Sequence, residues 1–170
     1  MIDADRYREA MARLGASVNI VTTGGPAGDH GFTASAVCSV TDAPATLLVC
    51  MNRQVRSLPH FASNGVLAVN VLTGLHTDLS RRFADSSVAM ADRFAAARWD
   101  RGVTGAPLLE GATVAFDCRI AESKDVGTHR VMFCTVQDVR LGADPDALIY
   151  FQRRYHRLAH ALQPDPDSGA

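Results

Sequence analysis

GFTASAVCSV, residues 31–40, reads as a strand built almost wholly from glycine, alanine, serine, threonine, valine and cysteine, with Phe32 its one large side chain. A period of two sends Phe32, Ala34, Ala36, Cys38 and Val40 one way and Gly31, Thr33, Ser35, Val37 and Ser39 the other. The first set can pack thinly against a core. The second offers hydroxyls and open backbone, a surface that something flat can approach closely.

Upstream, SVNIVTT (17–23) is a second strand-like run, and GGPAGDHG (24–31) is dense in turn formers, so the two strands form a hairpin. Residues 3–14 fit a short amphipathic helix with Asp3 or Asp5 as its cap, Tyr7, Ala10, Met11 and Leu14 along one side, and Gly15 at its end. Downstream, ATLLVCMN (45–52) is apolar on both parities, which predicts an interior strand shielded on both faces. A short helix is expected over 55–62, with Pro59 confined to its first turn. VLAVNVL (66–72) is another buried strand, and Leu75, Leu79 and Phe83 recur at helical spacing in LHTDLSRRFA (75–84).

The segment 85–110 is too rich in Gly and Pro toward its end for one long helix and reads as a cover over something, with Trp99 anchoring it to the body. ATVAFDCRIAES (112–123) alternates, with Ala112, Val114, Phe116, Cys118 and Ile120 inward and Thr113, Asp117 and Arg119 outward. KDVGTH joins it by a hairpin to HRVMFCTVQDVRLG (129–142). ALIYFQ and RRYHRL follow. Roughly six strands against three helices, without regular βα alternation, predict a mainly β protein with helical decoration, an antiparallel barrel rather than a doubly wound sheet. No GxGxxG follows a strand, which argues against a Rossmann dinucleotide site.

A chain of 170 residues suits one domain, expected over 1–160, with 161–170 a frayed tail. Seventeen Lys and Arg nearly balance eighteen Asp and Glu, so no general electrostatic footprint for nucleic acid exists, and an anionic ligand must be met locally. Cys38, Cys50, Cys118 and Cys134 are widely spaced and lack CxxC pairing, so they read as small buried hydrophobes in a reducing compartment. There is no secretory leader pattern and no run of eighteen apolar residues, so the expected location is cytoplasmic, away from the membrane. The six histidines show neither HExxH nor a close triad, so no metal is expected, and no G-x-S-x-G frames a serine nucleophile.

Two constellations carry chemistry. In CMNRQVRS (50–57), Asn52, Arg53, Arg56 and Ser57 lie between a strand end and a helix start, where amide, hydroxyl and guanidinium donors converge on phosphate oxygens; the competing reading is a solvated turn. In GTH (127–129), Thr128 and His129 put polar groups at a turn where a ligand edge can lie, against the plainer role of a turn histidine. Arg81 and Arg82 are either a solvated helix face or an anion contact.

The ordered motifs GPAGDHGFTASAVCSVTDAPATLLVCMNR, HTDLSRRFA, RFAAARWDRGVTGAPLLEGA, FDCRI, VGTH and YFQRRYH together resemble the short-chain flavin reductase family over residues 5–160. The resemblance implies a homodimeric, FMN-binding split barrel in which Thr33, Ala34 and Ser35 run beside the flavin ring and ribityl chain. It places Asn52 and Ser57 at the ribityl and phosphate end, makes Arg82 a further phosphate candidate, and sets His129 near the flavin and the incoming nicotinamide. The implied activity is hydride transfer from NADH (NADPH being the alternative) to FMN (or FAD), with reduced flavin passed to a separate flavin-dependent monooxygenase. Competing readings are a non-enzymatic flavin-binding electron carrier or redox sensor, and an oxidase of the same broad barrel type.

Overall fold

The structure is a computed structural model that describes residues 2–143 and 146–159; the tail expected to be frayed, 161–170, lies outside the described residues. Among the described residues, helices α1 (Ala4–Met11), α2 (Leu58–Asn64), α3 (Thr77–Ala84) and α4 (Met90–Phe94) decorate twelve strands. These are β1 (Ala16–Ser17), β2 (Asn19–Thr23), β3 (His30–Ala34), β4 (Val37–Asp42), β5 (Ala45–Asn52), β6 (Val66–Val71), β7 (Trp99–Arg101), β8 (Pro107–Leu109), β9 (Val114–Val126), β10 (His129–Leu141), β11 (Ala147–Phe151) and β12 (Arg154–Leu158).

Seven strands pair antiparallel in the order β3-β2-β6-β9-β10-β5-β4. The two edges, β3 and β4, are neighbours in the chain, separated only by Ser35 and Ala36. Flat, such a sheet would hold its edges about 29 Å apart at ordinary strand spacing, whereas the three Cα steps from Ala34 to Val37 reach roughly 11 Å. The sheet therefore curls until its edges meet. What closes the barrel is a covalent corner and not a ladder of hydrogen bonds, so it is split along that seam.

The stretch 31–40 is thus two strands, where the sequence reads as one. At the corner the main-chain N–H of Val37 donates to the carbonyl of Ser35 at 3.0 Å, a tight turn that shifts the alternation by one residue. Phe32 and Ala34 are buried as their parity predicts, but beyond the corner Val37 packs against the core while Ala36, Cys38 and Val40 are exposed. A bulge between Ser39 and Thr41 leaves Val40 out of register with β5.

Inside the barrel, Val21, Phe32, Val49, Met51, Phe61, Leu67, Val69, Cys118, Met132 and Cys134 form the main core. Val18, Ile20, Leu72, Leu79, Phe83, Leu109 and Leu148 form a second cluster. Strands β2 and β6 are buried on both faces because α3 and the 97–110 segment lie on their outer side. Trp99 does anchor that segment: its ring packs on Phe83 and Phe94, and its Nε1–H donates to the carbonyl of Phe94 at 3.0 Å.

The same cover corrects Asp117. Expected to face outward, it is 1% exposed, and its carboxylate accepts from the main-chain N–H of Thr104 at 2.8 Å and from the Thr104 hydroxyl. Leu75 precedes α3 in a 3-10 turn and stands 81% exposed, outside the buried stripe of Leu79 and Phe83. Helix α1 begins at the Asp3 cap as expected but buries no residue; Tyr7, Met11 and Leu14 remain exposed. It is held instead by the Arg153–Glu9 ion pair at 2.7 Å and by Gln152 N–H donating to the Ala12 carbonyl.

Two further expectations change. Leu47, Val49 and Met51 of β5 face the core, but Leu48 and Cys50 are only half-buried on the outer side, so the strand is shielded on one face alone. Of the four thiols, Cys118 and Cys134 are buried, and burial pushes the Cys134 thiol up to about 12; Cys38, however, is exposed. Among the described residues no helix is long and apolar enough to cross a membrane.

Candidate functional site

A groove of about 720 Å³ opens where three stretches meet: the start of β3, the link from β5 into α2, and the chain from the end of α3 to Arg93. Each is positioned by local chemistry. Asn52 ends β5 and its Oδ1 accepts from the Gln54 main-chain N–H at 2.9 Å, turning the chain toward α2 and leaving the carboxamide NH₂ as the free donor. Helix α2 starts three residues later than its expected position, with Pro59 in the first turn as anticipated. Ser57 is its N-cap residue, 3% exposed, and its hydroxyl makes no capping bond.

On the opposite side, the Thr33 hydroxyl donates to the Ser80 carbonyl at 2.6 Å, tying β3 to α3. Gly31 is required here for close approach: a Cβ at that position would lie 2.8 Å from the Phe83 ring, which crosses over β3 to line the groove. The narrowness of the opening stretch is therefore used first by a side chain of this protein.

The lining carries two guanidinium groups, Arg56 and Arg93, and no carboxylate among the described residues. His30 sits at the groove with its ring stacked on His60, centroids 3.4 Å apart and planes 20° from parallel. Burial, then the neighbouring His60, holds the His30 imidazole below its ordinary pKa. Because a carbonyl can only accept, the 2.8 Å contact from His60 Nδ1 to the Ala27 carbonyl assigns the proton to that nitrogen. Such a groove suits a flat ligand with an anionic end.

Of the residues singled out in the sequence, Thr33, Asn52, Arg56 and Ser57 line this groove, while Arg53 turns to Asp125 at 3.5 Å and the Gly127 carbonyl at 3.2 Å. Ala34 lies next to it but is buried, its carbonyl accepting from Asn19 Nδ2 at 3.1 Å. Ser35 is exposed at the seam. Arg82 belongs to a neighbouring hollow of about 550 Å³ that shares Ser87, Val88 and Ala89 with the groove. His129 is exposed at the start of β10, directly opposite Asn52 in the ladder, so it adjoins the groove without lining it. Gly127 opens the preceding turn at φ +55°, and Thr128 Oγ1 lies 2.9 Å from His129 Nδ1. His30, Phe83 and Arg93 were not singled out. Phe83 carries the signal of a core position, and neither His30 nor Arg93 has a sequence spacing that ties it to residues 52–57.

The curled sheet with its seam, and the cationic groove beside that seam, define a split-barrel protein with a candidate site for an anionic small molecule. The chain belongs to the flavin reductase like domain family, whose pattern matches residues 11–159. It is 58% identical over 153 residues to an FMN reductase (NADH), RutF, of Stutzerimonas stutzeri, covering 90% of this chain and 87% of that one. The fold superposes with a TM-score of 0.85 and 26% identity on the NADH:FAD oxidoreductase SgcE6 of Streptomyces globisporus, solved with NAD and FAD fragments, covering 99% of this chain and 98% of that one. With BorF, the flavin reductase component of a bacterial two-component tryptophan halogenase, the TM-score is 0.86 at 26% identity, covering 94% of this chain and 100% of that one.

Proposed function

We propose that this chain is an NADH:FMN oxidoreductase that hands reduced FMN to a separate flavin-dependent monooxygenase, with residues 1–160 forming one flavin reductase domain. The observation that carries the reading is a groove at the barrel seam with two guanidinium groups, an uncommitted buried hydroxyl and no carboxylate among the described residues. That donor set fits a flavin phosphate, and the 58% identical relative is named an FMN reductase (NADH). A reductase component of a two-component system shares the fold, which supports release of the reduced product to a second enzyme.

FMN and nicotinamide, once bound, would supply the chemistry of hydride transfer. The chain's own part is to bind, orient and exclude water. Ser57 and the Asn52 carboxamide donate at the phosphate and ribityl end, with Arg56 adding charge. Thr33, Ala34 and Ser35 present main chain along the ring edge at the seam. His129 orients the nicotinamide, and Arg82 serves an anion from the adjoining hollow. No acid–base pair is needed, in keeping with the missing carboxylates.

Steady-state oxidation of NADH and NADPH with FMN, FAD and riboflavin as acceptors tests this. NADH with FMN should be the most efficient pair, and Ser57→Ala should weaken FMN about ten- to a hundredfold, roughly 1.5–3 kcal/mol for one hydrogen bond to a charged group, while leaving riboflavin within twofold. Absence of NADH turnover with any flavin overturns the enzymatic reading, and equal losses for both flavins remove Ser57 from the phosphate.

The homodimer rests on the outer face of β5 and β10. There Leu48 stands opposite Phe133 and Cys50 opposite Val131, all four half-buried, beside the exposed Cys38. An apolar patch in mid-sheet is self-complementary about a twofold axis. Sedimentation of the flavin-loaded protein should give twice the 18.2 kDa chain mass, and Leu48→Lys should shift it to one. A monomer with full reductase activity would remove the partner copy from the site.

A further inference from the structure

Arg93 is a buried charge with no carboxylate hydrogen-bonded to it; Asp85 acts on it only through space. It is 9% exposed, and its hydrogen bonds all go to main-chain carbonyls: Nε to Val88 at 3.0 Å, Nη1 to Phe83 at 3.0 Å and Nη2 to Asp85 at 2.7 Å. The Asp85 carboxylate does not pair with it; that group accepts from the Ser87 main-chain N–H at 2.8 Å and the Ser87 hydroxyl at 2.6 Å. Burying an unpaired guanidinium is costly, and the carbonyls at the end of α3 offset only part of that cost. Three of the five N–H donors of the group are engaged, so two remain.

The three carbonyls span residues 83–88, which means that one planar fork holds the strap 84–90. Ala84, Ser86, Ser87, Val88, Ala89 and Met90 of that strap form the groove wall facing Asn52–Ser57, and Arg93 itself lines the groove. We infer that Arg93 is the positioning residue of this wall: its guanidinium sets the strap at the separation that grips the flavin, and its charge, held by carbonyls and not by a bonded carboxylate, makes the strap a side that faces the ligand's anion. The inference rests on the groove being the flavin site. It assigns to the strap a role in affinity and phosphate discrimination that the residues 52–57 do not provide alone.

Lysine keeps the charge but cannot place donors on three carbonyls in one plane, and glutamine loses the charge as well. Dissociation constants for FMN and riboflavin, measured by fluorescence titration on the full chain, separate the two contributions. Arg93→Gln should weaken FMN at least tenfold and riboflavin about threefold. Arg93→Lys should weaken both about threefold and keep the parent's ratio between them, while amide hydrogen exchange over 84–90 quickens about tenfold. Unchanged affinity for both flavins in Arg93→Gln, or parent affinity and parent exchange in Arg93→Lys, would overturn the inference and leave Arg93 a helix-end contact. If the glutamine variant does not fold, the lysine variant and its exchange pattern decide alone. Val55→Trp, which fills the groove from the opposite wall, should abolish FMN binding. Should that variant bind FMN normally, the flavin lies elsewhere and the inference falls with the functional reading; should it lose FMN while both Arg93 variants bind normally, only the inference falls.

Discussion

Phe61→Ala is expected to lower the stability of the protein by about 3–5 kcal/mol, the range for deleting a fully buried aromatic ring. Phe61 is 0% exposed and is the one fully buried residue of α2, with only the half-buried Leu58 packed on the core beside it, so it is the helix's main apolar anchor. Its ring meets Phe32 edge to face at 5.4 Å and 77°, a geometry that adds about 0.5–1.5 kcal/mol beyond area burial. Phe32 lines the groove and Ser57 occupies the N-cap position of the helix that Phe61 holds, so both rings support the groove. The substitution should therefore weaken FMN as well as the fold. Urea denaturation of the apoprotein gives the first effect and fluorescence titration with FMN the second. Against a total of about 5–15 kcal/mol for a domain of ordinary stability, the loss is large. A cost below about 1.5 kcal/mol would show that α2 closes over the gap and is anchored by something other than this ring.

His129→Ala should slow reduction of bound FMN by NADH about ten- to a hundredfold, which corresponds to about 1.4–2.8 kcal/mol of transition-state stabilisation. The residue is opposite Asn52 in the β5–β10 ladder, and its Nδ1 is 2.9 Å from the Thr128 hydroxyl, so the ring is both placed at the groove's edge and oriented there. Orientation of a reacting pair is worth that much without any bond to the imidazole. Abolition is not expected, because the hydride passes between two cofactors and never through the ring. Rapid mixing of flavin-loaded protein with NADH, followed at the oxidised-flavin absorbance, separates this step from product release, and FMN dissociation should stay within about threefold of the parent. An unchanged rate with unchanged NADH dependence would make His129 a turn residue only.

The structure separates these two residues by how they become visible. His129 stands out in the sequence because a glycine-containing turn between two alternating runs predicts both the hairpin and the strand start, which are local properties. Asn52 and Ser57 are legible for the same reason: an apolar run ends, polar donors follow, and Pro59 marks a helix start. Phe61, by contrast, reads only as one of two apolar residues three apart, and its weight comes from Phe32, which lies 29 positions earlier in the chain.

The sequence by itself determined the mainly β character, the antiparallel hairpins, the balance of charge that confines an anion site to a local cluster, and the family through its ordered motifs. These depend on short-range periodicity and on the conformational limits of glycine and proline, which act within a few residues. The roughly six strands and three helices it predicts undercount the twelve and four among the described residues, because the two- and three-residue strands carry no periodicity. Only the tertiary structure decided that 31–40 breaks at Ser35–Ala36, because that corner answers to a seven-stranded sheet whose two edges must meet. It also decided that Asp117 is covered, that β5 has one bare face, and that Arg93 stands across the groove from Ser57. Those outcomes rest on which surfaces come to lie against each other, and a side chain at position i carries no local mark of the residue that will cover it.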